Sequence, residues 1–403
     1  MNKQPGTTRG LRIALVSNTA WSLFNFRLNL IRHLQAAGHT IVAVAPSDSF
    51  ADKLKSSGVE FEAVPISTSG INPVAELRSV WRLRSVFKRQ GVDLVLSYTP
   101  KGNLYAALAC MALGLPFVPN VSGLGRAFIR RSPVTWTALG LYRLTFRRAH
   151  RVFFQNLDDM DMFVGARLVK AAKAERLPGS GVDLVRFTPG LVDRTPVDDA
   201  PVFLLVARML WDKGVGEYVA AARLVRTQFP NARFLLLGGL ASDNPSAIPE
   251  GQVERWVREG VVSYLGSTED VKPHLAQADC VVLPSYREGV PRVLLEAAAM
   301  ARPLITTDAP GCRDAVKDGE TGFICHPRNA QDLANKMRSF MALTGEQRRA
   351  MGHRGRAFVE QNFDEQVVLD RYHHVVTAFA SSPQAVRLAG GVFVQTRAGA
   401  GGA

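Results

Sequence analysis

The chain has 403 residues, 47% of them hydrophobic, with 49 Lys and Arg against 35 Asp and Glu for a formal net charge of +14. That length fits two or three domains, and that composition excludes a disordered, collagen-like or small disulfide-framed protein. The charge excess is uneven: residues 1–200 hold 26 basic and 14 acidic side chains, residues 201–403 hold 23 and 21, so one half is charged to meet anions such as nucleic acid or an anionic membrane.

Residues 1–10 are polar and lead into a short apolar run, which is not the pattern of a signal peptide. Strands are expected at Leu11–Ser17, Thr40–Ala45, Asp93–Ser97, Phe117–Val121 and Val152–Gln155. Helical patterns cover Leu23–Ala37 and Pro73–Gln90, the second opened by an Asn72 cap followed by proline. The apolar stretch from Leu104 to Pro119 is broken by Gly114 and Pro116 and falls short of the roughly 18 residues of a membrane span. Residues 188–200 are rich in proline and aspartate without apolar periodicity, which is linker composition. Strands resume at Val202–Ala207, Arg233–Leu237, Val261–Leu265, Cys280–Leu283, Leu304–Thr306 and Gly322–Cys325, with helices at Val215–Gln228 and Val290–Ala301. A last helix is expected over 364–380, and the Gly/Ala-rich residues 381–403 read as a disordered tail.

Short apolar runs alternating with helices indicate parallel sheets covered on both faces, an α/β class. The expected organisation is two doubly wound domains, residues 11–187 and 201–363, facing a central cleft. Ligands in such sheets bind beyond the carboxyl ends of the strands. The four cysteines, Cys110, Cys280, Cys312 and Cys325, form no CxxC pair and read as free thiols of a cytosolic protein.

Two clusters follow strand ends in the second half. Arg208 and Lys213 bracket the turn into a helix, where an oxyanion meets two cations and a helix dipole. Further on, Glu288 and Glu296 stand eight apart, with Gly289, Val290 and Pro291 between them at an expected helix start. Glu288 precedes the helix and Glu296 lies about two turns inside it, so both carboxylates can approach one ligand at different depths, and the helix-start N–H groups can bind phosphate. The Asp159-Met-Asp161 triplet spells a metal-binding DxD, but it falls at a helix start over Asn156–Phe163, where acids need no metal. Gly123-Leu-Gly125 and Gly214-Val-Gly216 each lack the final glycine of a dinucleotide loop, and the eight histidines show no metal-ligand spacing.

In the basic half, Arg78, Arg82 and Arg89 form a helical stripe opposite Val80, Leu83 and Phe87. Seven arginines and no acid lie between Arg126 and Arg151. There Trp136, Leu139, Tyr142 and Phe146 run beside Arg143, Arg147 and Arg151, the make-up of a helix lying at an anionic membrane surface. The competing reading packs the aromatics on the domain core.

The string REGVPRVLLEAAAMARPLITTDAPGCRDAV resembles the E-x7-E signature of retaining glycosyltransferases of family 4. VARMLWDKGVGEYV, LLLGGLASDNPS, VSYLGSTEDV and LPGSGVDLVRF extend the similarity over nearly the whole chain. The resemblance implies a GT-B fold of two Rossmann-like domains, with an acceptor-binding N-terminal domain and a nucleotide-sugar-binding C-terminal one. It implies transfer of a hexose or N-acetylhexosamine from a UDP-sugar to an undecaprenyl-diphosphate-linked saccharide, without cofactor or metal. By the same resemblance Arg208 and Lys213 hold the donor diphosphate, Glu288 the donor sugar and Glu296 the ribose. Gly289, Val290 and Leu294 border the donor, and Gly238, Gly239, Tyr264, Leu265 and Gly266 the nucleoside. A histidine common after the strand at Phe117–Val121 is replaced here by Ser122, so Asn18, Arg27, Lys101 and Ser122 are candidates for the acceptor side. The basic half then docks on the cytoplasmic face of a membrane and not on nucleic acid. Two rival readings are a UDP-sugar 2-epimerase of the same fold and a basic nucleic-acid-binding or scaffold protein.

Overall fold

The structure is a computed structural model that describes residues 10–67, 72–124, 133–190, 201–240 and 244–381. The apolar runs build two wholly parallel sheets. The first contains β1 (Arg12–Val16), β2 (Thr40–Ala45), β3 (Glu60–Ala63), β4 (Leu94–Tyr98), β5 (Phe117–Val121), β6 (Val152–Phe154) and β7 (Ala174–Arg176), in the order β3-β2-β1-β4-β5-β6-β7. The second contains β8 (Val202–Val206), β9 (Arg233–Leu237), β10 (Ser263–Tyr264), β11 (Cys280–Leu283), β12 (Leu304–Thr307) and β13 (Gly322–Cys325), in the order β10-β9-β8-β11-β12-β13. In each sheet the first strand lies centrally, so the order reverses beside it. Ile13 faces Ile41 on one side and Leu94 on the other. Phe203 likewise sits between Phe234 and Cys280.

Helices cover both faces. The first sheet carries α1 (Ala20–Ala36), α2 (Ala51–Ser56), α3 (Pro73–Arg89), α4 (Pro100–Leu113), α5 (Pro133–Phe146) and α6 (Leu157–Gly165). The second carries α7 (Val215–Arg226), α8 (Glu250–Arg258), α9 (Lys272–Gln277), α10 (Arg292–Ala299), α11 (Ala330–Met341) and α12 (Gly345–Asn362), and α13 (Glu365–Ala380) ends the described chain. Phe87, Leu104, Tyr142 and Phe163 bring α3 to α6 into one core of the first sheet. Leu23, Ile31 and Leu54 cover its opposite face, joined there by Tyr372, Val376 and Phe379 of α13. The chain therefore crosses to the second sheet and returns. The two crossings pair at Val182 and Asp364, where the Val182 N–H donates to Phe363 O at 2.9 Å and the Glu365 N–H to Val182 O at 3.1 Å. Gly181 is left-handed, with φ +70°, and a side-chain carbon there would strike the Glu365 backbone.

The two parallel, doubly wound sheets match the expected class, with three differences. Strands β3 and β7 were not expected: EFEA and AER are short, charged and half exposed, so they lack the apolar run that marks a central strand. Tyr142 and Phe146 of α5 are fully buried and belong to the core, not to an interfacial face. Only Trp136, 66% exposed, and Leu144 stay with the exposed Arg143 and Arg147. The third difference, the start of α10, belongs to the site. The expected linker beyond Gly190 and the tail beyond Ser381 lie outside the described residues, as do Gly125 and the arginines from Arg126 to Arg131. All four cysteines are buried free thiols. Among the described residues no helix is long and apolar enough to cross a membrane.

Candidate active site

The carboxyl ends of both sheets face each other, and the second sheet reverses its order between β8 and β11. The turn after β8 places Trp211–Lys213 in a single 3-10 turn that ends on Gly214, φ +72°. A side chain at Gly214 would lie on the Pro284 carbonyl, so glycine is what lets this turn close on the loop after β11. The two loops then interlock: the Tyr286 N–H donates to Asp212 O at 3.0 Å, and Ser285 Oγ lies 3.2 Å from the same carbonyl. Asp212 is also held by the Ser246 hydroxyl.

Lys213 and Glu288 meet in this crevice. The Lys213 ammonium donates to Glu288 Oε1, which also accepts from Ser285 Oγ at 2.7 Å, while Glu288 Oε2 accepts no hydrogen bond among the described residues. The two side chains remain 23% and 15% exposed. Arg208 is exposed and makes no ion pair among the described residues. Among the described residues Lys213 is thus compensated and Arg208 is not. Burial and the nearby Glu288 push the Cys312 thiol up to about 12, so it stays neutral behind the pair.

Helix α10 begins at Arg292, two residues later than expected. Pro291 stands at the N-cap with extended ψ of 112°, and the preceding loop is tied by the Glu288 N–H to Pro310 O at 3.0 Å. Glu288 lies in the loop before the helix, as expected, and the late start leaves Glu296 just over one turn inside α10 instead of about two. The N–H groups of Gly289 and Val290 make no hydrogen bond among the described residues, leaving two donors beside Glu288. Leu294 offers none: its side chain is fully buried, and its N–H donates to Pro291 O at 3.1 Å.

Glu296 is 13% exposed and accepts from Arg292 Nε at 2.9 Å. Burial raises its pKa, with Arg292 pulling it partly back. Arg292 in turn donates to Asn25 O of α1 at 2.9 Å, so Glu296 is oriented by a contact between the two sheets. Gly238 and Gly239 leave β9 beside the end of β8; the Met209 N–H donates to Gly239 O at 3.0 Å, and a side chain at Gly238, φ +142°, would strike Ala207 O. Tyr264 OH donates to Gly238 O at 2.9 Å, and the Gly238 N–H to Gly266 O at 2.7 Å. Leu265 is 40% exposed on this rim.

Across the cleft, Asn18 and Ser122 are half buried, and their side chains have no hydrogen-bond partner among the described residues. Lys101 is held by Glu76 at 2.7 Å and Ser67 Oγ. Arg27, expected to line this side, is buried with its guanidinium 4.2 Å from the centroid of the Tyr98 ring, so it is a core cation and not a lining one. Asp159 of the DxD triplet is fully buried and paired with Arg287. The residues missed by sequence reasoning are Ser285, Arg287 and Asn156. Ser285 and Arg287 are chain neighbours of Glu288, and the fold brings Asn156 to Glu288 and Gly289 from the other sheet.

Two family models match the chain: "Glycosyl transferase 4-like domain" over residues 26–180 and "Glycosyl transferases group 1" over residues 200–342. The N,N'-diacetylbacillosaminyl-diphospho-undecaprenol alpha-1,3-N-acetylgalactosaminyltransferase of Campylobacter jejuni is 29% identical over 376 residues, covering 90% of this chain and 97% of its own. The UDP-Gal:alpha-D-GlcNAc-diphosphoundecaprenol alpha-1,3-galactosyltransferase of Escherichia coli is 22% identical, covering 68% and 73%. The solved structure of Anabaena HepE in complex with UDP and glucose superposes with a TM-score of 0.75 at 19% identity, covering 91% of this chain and 100% of that one. The two doubly wound sheets, the crevice between them and these relatives agree: the chain is a glycosyltransferase of the GT-B superfamily, broadly matching the glycosyltransferase 4-like type and related to bacterial glycan-building enzymes.

Proposed function

We propose that the chain is a retaining glycosyltransferase of family 4 that moves a hexose or N-acetylhexosamine from a UDP-sugar to an undecaprenyl-diphosphate-linked saccharide, without a bound metal. The observation that carries this reading is the meeting of Lys213 and Glu288 at the point where the second sheet reverses, with Arg208 and the Gly289 and Val290 N–H groups unpaired among the described residues. A diphosphate entering there competes with Glu288 for Lys213 and gains Arg208, so negative charge on the leaving group meets two fixed cations. Glu288, released, accepts hydroxyls of the donor sugar. Glu296 accepts the ribose, and Gly238, Gly239 and Tyr264–Gly266 border the nucleoside. The bond from the anomeric carbon to the diphosphate breaks and the bond to the acceptor oxygen forms on the same face, the acceptor proton passing to the leaving diphosphate.

The printed activities of the Campylobacter and Escherichia relatives, both on undecaprenyl-diphosphate sugars, support this acceptor class. Asn18, Ser122 and Lys101 border the acceptor side. The exposed Val74, Leu77 and Trp81 of α3, flanked by Arg78 and Arg82, and Trp136 with Arg143 and Arg147 on α5, share one helix layer. On this reading that layer rests on an anionic membrane surface at the cytoplasmic face, where each cation adds about 1 kcal/mol. The test is a donor screen by UDP release, with and without lipid-linked acceptor. Acceptor-dependent release from one UDP-sugar is the expected result; turnover that ignores the acceptor contradicts the proposed lipid-linked acceptor.

A further inference from the structure

The first turn of α6 touches the second sheet, and the proposed donor contacts make no use of it. Asn156 caps the helix, its Oδ1 accepting the Asp159 N–H at 2.8 Å, and its Nδ2 reaches across to Gly289 O at 2.9 Å and Glu288 O at 3.2 Å. Asp159, 0% exposed, pairs with Arg287, the residue before Glu288. Asp158, next to it, takes a two-pronged contact from Arg313 at 2.9 and 3.0 Å, in the segment after β12. Gly289 is pressed against the same wall: a side-chain carbon there would meet Gln155 Oε1 and the Ser122 carbonyl, and Gly123, φ +115°, lies opposite. The two acids suit the positive end of α6, but a helix dipole does not require one of them to be fully buried. A buried carboxylate needs a partner, and the charged partner of Asp159 comes from the other sheet. Separating the sheets leaves Asp159 and Arg287 without each other, so this pair exists only when the cleft is closed.

We infer that Asp159 and Arg287, with Asn156, form an interdomain latch of positioning residues that fixes the loop carrying Glu288, Gly289 and Val290 when the domains close on the donor. The inference rests on the proposed donor site. The latch stabilises the closed arrangement, and a donor that binds only that arrangement has an apparent affinity set by its population. Removing the latch raises the KM for the sugar nucleotide, while kcat at saturation is nearly kept.

The full chain and its Asp159→Asn, Arg287→Gln and doubly substituted forms are compared by UDP release with lipid-linked acceptor. Each single change is expected to raise the donor KM by about tenfold, with kcat within about threefold, and the double change to be no worse than either single one. Unchanged KM in both single variants, or effects that multiply in the double variant, overturns the latch. Should Asp159→Asn misfold by melting temperature, Arg287→Gln and Arg287→Lys decide from the opposite sheet: Lys must restore part of the KM that Gln loses, and equal values contradict the ion pair. Calorimetric titration of the wild type with UDP separates this from the donor reading. If UDP does not bind, the donor site is wrong, and X-ray scattering judges the latch alone. The Arg287→Gln form must then have a larger radius of gyration than the wild type; identical radii overturn it.

Discussion

The loops after β8 and β11 are tied to one another, whereas the ends of β4 and β5 across the cleft hold four buried side-chain oxygens that have no partner among the described residues. On the second sheet, Lys213, Glu288, Ser285 and Asp212 are bound among themselves, and Gly214 and Gly238 let the backbones touch. On the first sheet, Ser97 Oγ, Thr99 Oγ1, Asn103 Oδ1 and Asn120 Oδ1 are buried without a hydrogen-bond partner. Thr99 is also held at φ +66° without capping α4 through its side chain. An unsatisfied buried polar group costs about 1–3 kcal/mol. One lip thus brings opposite charges together, and the other holds Thr99 in a strained backbone conformation beside the place where an acceptor would enter. This difference matches the proposed division of labour: a leaving diphosphate needs fixed cations, while a neutral hydroxyl needs a surface that it completes.

Four substitutions break or sharpen the contrast. The largest effect is expected for Lys213→Ala, which removes one of two cations from the leaving group and lowers kcat for UDP release by about 100- to 1,000-fold, the range for losing one preorganised electrostatic donor. A loss below tenfold would move the chemistry elsewhere. Gly214→Ala comes next, because a side chain there is both strained and set against Pro284 O. It should cost about 3 kcal/mol in denaturant unfolding, and a neutral result would show that the two loops need not touch. Thr99→Gly acts in the opposite direction on the opposite lip, relieving strain and adding about 1 kcal/mol of stability. If that strain serves the acceptor, its KM rises while the donor KM holds; no change in acceptor KM would detach Thr99 from the site.

The smallest effect concerns pH. Burial holds the Glu296 pKa above the ordinary carboxylate value, so the folded chain keeps its proton where the unfolded chain has lost it. Stability then falls as pH rises from about 4.3 through the raised folded value, and the penalty persists above it. Glu296→Gln removes that slope. Its melting temperature relative to the wild type should climb by a few degrees across this window, and a constant offset from about pH 4 to about pH 7 would contradict the buried carboxyl.

Most of the second sheet is legible in the sequence because its strands are unbroken apolar runs and its site residues follow them directly. Arg208, Lys213 and Glu288 fall at strand ends and can be picked out one by one. The pairing of Lys213 with Glu288 cannot: 75 residues separate them, and only the neighbouring positions of β8 and β11 join them. The same holds for Asp159 and Arg287, 128 residues apart. Asp159 reads as a helix-start acid because its partner lies in the other half of the chain. The edge strands β3 and β7 and the late start of α10 escape for a local reason: charged residues hide the first, and an extended Pro291 delays the second. Tyr142 and Phe146 escape for a third reason. A helix carrying both aromatics and arginines has the same pattern whether the aromatics face a bilayer or a core, and burial alone decides between them.

The central claim is that the donor diphosphate takes Lys213 from Glu288. Calorimetric titration of UDP into the wild type, Lys213→Ala and Glu288→Ala tests it most directly. Lys213→Ala should weaken UDP at least tenfold, about 1.4 kcal/mol. Glu288→Ala, which frees the ammonium, should bind UDP at least as tightly as the wild type while losing transfer. Equal weakening in both variants, or a wild type that binds no UDP, would contradict the account.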